Sequence, residues 1–412
     1  MKILKTLFSP RKLIVWIFLI ILLATVPEIT KPAMSETEAI VTMMSLDKID
    51  DKIKISASVL TPAEEKTANY EVFSATGETV GEAVENVSLA LGKSIGFAQC
   101  EIMAFGENLS NEGILSSLDF MTRTRKVGRN ALLINFSGDV EEFQQAVVNL
   151  NIEKSVPLED IFNFDKRYIP TEDSNIHSFY KGYFSSISTG IMPKVQLTKE
   201  KTGNNAIEIE QGSTGGGSST QPGSGTSGTN NKSYILNDGT ISVFKKGRKL
   251  LEIASDKVKQ LNLMLNNEQE GTLKVENVND KLYNNSNVVL NITDKKLKFS
   301  PRFENNTPVF NISIDLIVLV EEIDEENPNK NFLKRNKEFL TPALIEKTKE
   351  VVKEHAMSIV EFCKTNEIDL IGVFENFYRK QFKEFKKYYE EKQEKYLDDV
   401  KVNISVKVSS SY

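Results

Sequence analysis

Two histidines and two cysteines are all the imidazole and thiol this 412-residue chain carries: His177, His355, Cys100 and Cys363. A protein nucleophile needs a base within hydrogen-bond reach, and a structural zinc site needs several Cys or His ligands at short spacing. Neither pattern is present. His355 falls on the apolar side of a predicted helix, where a packed imidazole is expected rather than a base, and His177 falls in a predicted loop with no motif around it. Cys363 lies on an apolar helix face and Cys100 in a strand-like run, so both read as small buried hydrophobes; whether they pair in an oxidising compartment stays open. The acidic run Glu321, Glu322, Asp324, Glu325 and Glu326 lacks the spaced Asp/Asn and Gly of a calcium loop, and reads as a solvated turn after a strand. No catalytic residue, metal ligand or cofactor is expected, and the chain reads as a non-enzyme.

Two clusters remain as candidate contact surfaces. Arg123, Arg125, Lys126 and Arg129 form a basic group that is either solvated and salt-bridged or turned toward lipid head groups or an acidic partner, where each charge adds about 1 kcal/mol near an anionic membrane. Phe374, Phe377, Tyr378, Phe382, Phe385, Tyr388 and Tyr389 make an aromatic row that is expected in a core, or at a protein interface if only half covered. A net charge of −6 and a pI near 5.4 argue against a nucleic-acid partner, which needs clustered cations on the surface.

The elements that would position these groups follow from hydrophobic period. Ala39–Met44 and Lys52–Val59 read as strands joined by a turn at Asp47–Asp51, and Thr79–Leu91 as an amphipathic helix stopped by Gly92. Cys100–Phe105 and Ala131–Phe136 fit buried strands, with Glu112–Thr124 as a helix between them and a further helix near Glu141–Leu150. From there to Glu200 loops are expected around Pro157, Pro170 and Pro193, and Gln211–Asn230 is a Gly/Ser/Thr segment without large apolar residues, hence a flexible insert or linker. Tyr234–Phe244, Thr272–Val278, Asn287–Ile292 and Pro308–Val320 read as strands, and Asp256–Leu265 as a short helix. Thr341 caps a long helix with Pro342 in its first position, a second amphipathic segment runs from Leu370 to about Tyr396, and Val400–Val408 alternates as a closing strand. The fold class expected is α+β: two or three mixed α/β domains after an N-terminal membrane segment, the last being a sheet packed with long helices.

That N-terminal segment is the most apolar stretch of the chain. Lys2, Lys5, Arg11 and Lys12 precede an uncharged run from Leu13 to Val26 that includes Trp16, Phe18 and Leu22, which places the bulk of the chain on the outer face of a membrane. Roughly 14 residues suit the h-region of a signal peptide, and a comfortable span wants about 20. No small-x-small site follows, so a retained single-pass anchor is favoured over a cleaved signal peptide. Residues 1–33 are then the anchor, 34–205 an N-terminal α/β domain with a small middle domain conceivable from about 150, 206–232 the insert, and 233–412 a C-terminal α+β domain.

Read in order, these passages resemble the Ger(x)C family, the C subunit of GerA-type germinant receptors of bacterial spores. AIVTMMSLDKIDDKIKIS is similar to the family's first strand pair, although Ser45 and Leu46 stand where Gly-Ile is usual. Gly106, Glu107, Leu109 and Gly113 match its Gly-Glu-x-Leu step, Arg123 matches its arginine after the following helix, and Gln99 stands where many members have His. Phe244, Lys245, Lys249 and Leu250 are similar to its Val-Phe-Lys-x-x-Lys-Leu strand pair, with three residues rather than two between the lysines, and Asp369–Gly372 to its Asp-Ile-x-Gly step. Members are typically lipoproteins, and no cysteine follows the apolar run here, so lipid anchoring does not carry over. The resemblance implies a non-enzymatic, membrane-associated subunit that serves assembly or signal coupling beside integral-membrane A and B subunits. An exported solute-binding protein for a small metabolite, with a cleft between its domains, is the alternative.

Overall fold

The computed structural model describes residues 38–61, 69–154, 174–184, 189–198, 206–209, 233–236, 238–265, 271–324 and 339–410. The anchor residues Leu13, Trp16, Phe18, Leu22 and Val26, the segment Gln211–Asn230, and Glu325 and Glu326 lie outside them. Among the described residues no helix is long and apolar enough to cross a membrane.

Alternation of apolar and polar side chains builds the first strands, β1 (Glu38–Ile49) and β2 (Lys52–Thr61), around a turn at Asp50 and Asp51, both at positive φ. β3 (Asn69–Gly77), which no sequence signal singled out, extends this meander. Further strands are β4 (Ser94–Gly96), β5 (Ile102–Gly106), β6 (Leu132–Ser137), β7 (Thr189–Thr198), β8 (Ala206–Ile209), β9 (Ser233–Leu236), β10 (Ile241–Lys245) and β11 (Arg248–Ile253). Among the described residues they form one mixed, 11-stranded sheet with the main order β11-β10-β7-β6-β5-β1-β2-β3. The centre from β1 through β5 and β6 to β7 is parallel, and both flanks are antiparallel.

Helices cover both faces. On one, α1 (Val80–Leu91) buries Val80, Ala83, Val84 and Val87; Thr79 Oγ1 caps it from the front and Gly92, left-handed at φ 67°, ends it. On the other, α4 (Val140–Lys154) sets Phe143 against Phe136, and Asp139 Oδ1 accepts from the amides of Glu141 and Glu142. Between β5 and β6 the expected helix Glu112–Thr124 is α3 (Leu115–Asp119) running on into a π turn over Phe120–Thr124, and a separate short helix, α2 (Glu107–Glu112), precedes it. Gly113, at φ 131°, makes the break. α5 (Ile176–Phe184) carries His177, so that residue is on a helix and not in a loop.

Pro193 lies inside β7, where a loop was expected. It pairs with Ile241 on one side only, because the ladder to β6 begins one residue later at Lys194, and a proline is tolerated where no amide is demanded of it.

The second sheet has the order β12-β13-β14-β15, from β12 (Gly271–Asn279), β13 (Asn284–Glu304), β14 (Thr307–Asp324) and β15 (Lys401–Ser410). β13 is much longer than Asn287–Ile292. A register shift between Ile292 and Asp294 moves the odd-numbered residues inward, so Leu297 and Phe299, half-buried, continue the row that the buried Val288, Leu290 and Ile292 began; Lys295 joins that row, and its charge disguised the strand. α6 (Ser255–Asn262) and α7 (Pro342–Thr365) cover this face. Beyond α7 the aromatic segment is not one helix. It bends at Gln381 into α8 (Val373–Lys380) and α9 (Phe382–Lys392), followed by a 3-10 turn over Gln393–Leu397. The bend lets Phe374, Phe377 and Phe385 bury together, with the Phe377 and Phe385 rings stacked at 5.1 Å.

β10 ties the two sheets together. Its residues alternate, so Ile241 and Val243 enter the core of the second sheet, whereas Phe244 enters the core on the other face of the first, and Ser242 Oγ donates to Asn135 Oδ1 of β6 at 2.7 Å.

Candidate functional site

The residues singled out by motif come together beside β10. Gly106 ends β5 and begins α2, and a side chain there would collide with the Asp47 carboxyl. Asp47 is the reason for that approach: its Oδ1 accepts from the Leu109 amide at 2.8 Å, and burial pushes its pKa up against the backbone donors that favour the carboxylate. The next residue, Glu107, is thereby aimed at the β10–β11 hairpin. At the tip of the hairpin Lys246 and Gly247 take φ of 53° and 78°, the Gly247 carbonyl accepts from Ile114 N at 3.0 Å, and a Cβ on Gly247 would run into Leu115.

Four charges meet there. Lys249 bonds Glu107, Lys194 reaches Glu107 at 3.1 Å and Glu252 at 2.5 Å, and Lys249 reaches Glu252 at 2.9 Å. The two lysine side chains are only 10% exposed and the carboxylates 27% and 34%, which makes this a partly desolvated square of alternating charge rather than a surface pair. Burial disfavours the Lys194 ammonium, but hydrogen bonds to Glu252 and Glu107 outweigh it and hold its pKa above the ordinary value. Glu252 is the mirror case: burial raises its pKa, the two lysines lower it, and the lysines prevail. Such a square can clamp; with every cation matched to a carboxylate, it offers no spare base or nucleophile.

A second set of contacts runs from the hairpin to the far half. Lys245 Nζ donates to the Glu367 carbonyl at 2.9 Å and lies 3.3 Å from Glu394, which Lys246 also meets at 2.5 Å. Beside them Asp369, 5% exposed, accepts from the amides of Val373 at 2.9 Å and Phe374 at 2.7 Å and from the Tyr396 hydroxyl at 2.7 Å. It caps α8, with Gly372 left-handed at φ 72°; burial keeps its pKa high, and the Tyr396 hydroxyl is pushed higher still.

The other expected residues lie apart from this junction. Arg123 pairs with Asp119 at 3.1 Å, Arg125 stacks its guanidinium over the Phe120 ring at 5.5 Å, Lys126 takes φ 60°, and Arg129 is exposed with its carbonyl accepting from His177 N. Cys100 and Cys363 are free and buried, and burial pushes both thiols up to about 12. His355 is half-buried at the edge of a cleft of about 650 Å³ between α6, β12 and α7, and burial lowers its pKa. Among the described residues no cluster of His, Cys, Asp or Glu could hold a metal ion.

Sequence reasoning missed Lys194, Asp47 and Lys295. The first lies next to Pro193 in a stretch expected to be loop, and the signal was its place between the apolar Met192 and Val195. Lys295 lines the same cleft as His355; it donates to the Asn262 carbonyl, and burial brings its pKa down to about 8.

Residues 35–197 match the family model described as Spore germination protein N-terminal domain, and residues 239–410 match that described as Spore germination B3/GerAC like, C-terminal. Among solved structures, the crystal structure of the GerBC protein is similar at TM-score 0.50 and 14% identity, over 90% of this chain and 97% of that one, a likeness of fold. No curated protein sequence matches.

Proposed function

The chain belongs to the Ger(x)C family of spore germination proteins, and from that premise we propose that it is a non-enzymatic, membrane-associated subunit of a germinant receptor, needed for assembly or signal coupling. The observation that carries this reading is the convergence of its motif residues on a clamp. Glu107, Lys249, Lys245 and Asp369 come from three separate motifs, and each is committed to holding the two sheets or the adjoining helices in place. A subunit that transmits or supports a signal between integral-membrane A and B partners needs rigidity of this kind; an enzyme would keep an unpaired base or nucleophile. The N-terminal run Leu13–Val26 would hold it at the membrane with the bulk of the chain on the outer face. The division at the Gly/Ser segment is read as a tolerated insertion between the two family regions.

Deleting the gene is expected to abolish germination in at least one nutrient and to lower the level of the A and B partners in spore membranes. Normal germination in every nutrient, with partner levels intact, would overturn the proposal. Calorimetric titration with amino acids and sugars is expected to give no saturable heat, and saturable binding would favour the solute-binding alternative.

A further inference from the structure

The bend between α8 and α9 leaves two aromatic side chains only half covered. Tyr378 and Phe382 are 48% and 46% exposed and lie edge to face at 4.9 Å; Tyr378 stacks on Phe374 at 5.6 Å, and about half of each residue stands in solvent. Around them, between residues 379 and 387, come Arg379, Lys380, Lys383, Lys386 and Lys387, all exposed, against the single carboxylate Glu384. This excess of positive charge stands out on a chain whose net charge is −6. The cations are weakly engaged: Arg379 meets Glu375 at 3.7 Å and Lys386 meets Glu390 at 3.9 Å, both at the surface, and Lys380 donates to the Phe299 carbonyl at 2.5 Å. Phe184, 77% exposed, borders the apolar groove that Tyr378 also lines, together with Ile191, Leu370 and Phe374.

We infer that the α8–α9 corner is a docking surface for an anionic lipid bilayer, with Tyr378 and Phe382 entering the interface and the surrounding lysines resting on phosphate head groups. Two arguments favour lipid over protein as the occupant. Lysine is depleted from protein interfaces, where its long flexible stem and strongly hydrated charge are costly to order, whereas head groups accept it without desolvation. Aromatic rings beside lysines are the side chains that settle at the boundary between acyl chains and water. The inference rests on the membrane-associated reading and assigns the surface that would face the membrane, which the apolar run at the other end of the chain does not.

The test uses the full chain carrying Trp16→Phe and Phe382→Trp, so that the only indole reports on the corner. Mixed with vesicles of phosphatidylglycerol, its emission is expected to move to the blue and to be quenched by lipids brominated along the acyl chain, and both effects are expected to fade with salt and to be absent with phosphatidylcholine. Changing Lys383, Lys386 and Lys387 together to Gln is expected to lower the docked-to-undocked ratio roughly a hundredfold, since each charge is worth about a factor of five. Flotation of the same samples reads attachment through the N-terminal run separately. Chains that float with the vesicles while the indole stays solvent-like and unquenched would overturn the docking surface and leave the anchor standing. Quenching in the lysine variant as strong as in the unsubstituted corner would overturn the charge argument. Quenching equal in both lipids would do the same.

Discussion

The β10–β11 junction and the α8–α9 corner are both rich in charge, yet they use charge in opposite ways. At the junction Lys194, Lys249, Glu107 and Glu252 neutralise one another at 10–34% exposure, and at the corner Arg379, Lys383, Lys386 and Lys387 project into solvent. The difference teaches where to look for function in this family. The motif residues Glu107, Lys249, Lys245 and Asp369 are engaged within the molecule and fix shape, whereas the exposed cations of the corner belong to no family motif. Substitutions at the two places should therefore fail differently, the first by loosening the protein and the second by leaving it stable but inactive.

The largest effect is expected at Asp369. Asp369→Ala leaves two α8 amides and the Tyr396 hydroxyl without an acceptor in the core, and should cost about 3 kcal/mol in urea unfolding. Glu107→Ala comes next. It strands Lys194 and Lys249 with only Glu252 between them, at about 2 kcal/mol once the partial exposure of Glu107 is allowed for. The square also titrates. Because the folded pKa of Glu252 lies below its ordinary 4.5, its contribution is present above that pH and is lost as the pH falls through the folded value. Glu252→Gln should therefore be less stable at neutral pH and lose less on acidification below about 4.5, as followed by thermal melts across pH. Lys245→Ala should cost about 0.5 kcal/mol, since its ion pair with the half-exposed Glu394 is largely screened. At the bottom of the series, Phe382→Ser at the corner should change stability by less than about 0.5 kcal/mol while reducing germination in spores. A corner variant that unfolds readily, or a Glu107 variant that is fully stable but inactive, would erase the contrast.

Much of this architecture is legible in the residues, and what is not has physical reasons. α1 and α7 announce themselves through Thr79, Gly92, Thr341 and Pro342, because caps and breakers act locally. β14 is plain from strict alternation. By contrast β7 hides behind Pro193, which becomes harmless only because its neighbour in the sheet starts a residue later, and the outer half of β13 hides behind Lys295, whose inward turn follows from a register shift no local pattern encodes. Glu107 and Lys249 could be quoted as motif residues, but their ion pair spans 142 positions and exists only once the sheet is assembled. The bend at Gln381 was equally invisible, since Phe374 to Tyr389 keep helical spacing across it and only the need to bury Phe377 against Phe385 breaks the run.

The most direct test of the junction's role is hydrogen exchange of the full chain across a urea series, read separately for β5 and β6 in the first sheet and for β14 in the second. If β10 and its ion pairs bind the two sheets into one cooperative body, the slowest amides of both should lose protection at the same urea concentration. Protection that disappears from one sheet at a clearly lower concentration than from the other would contradict the clamp.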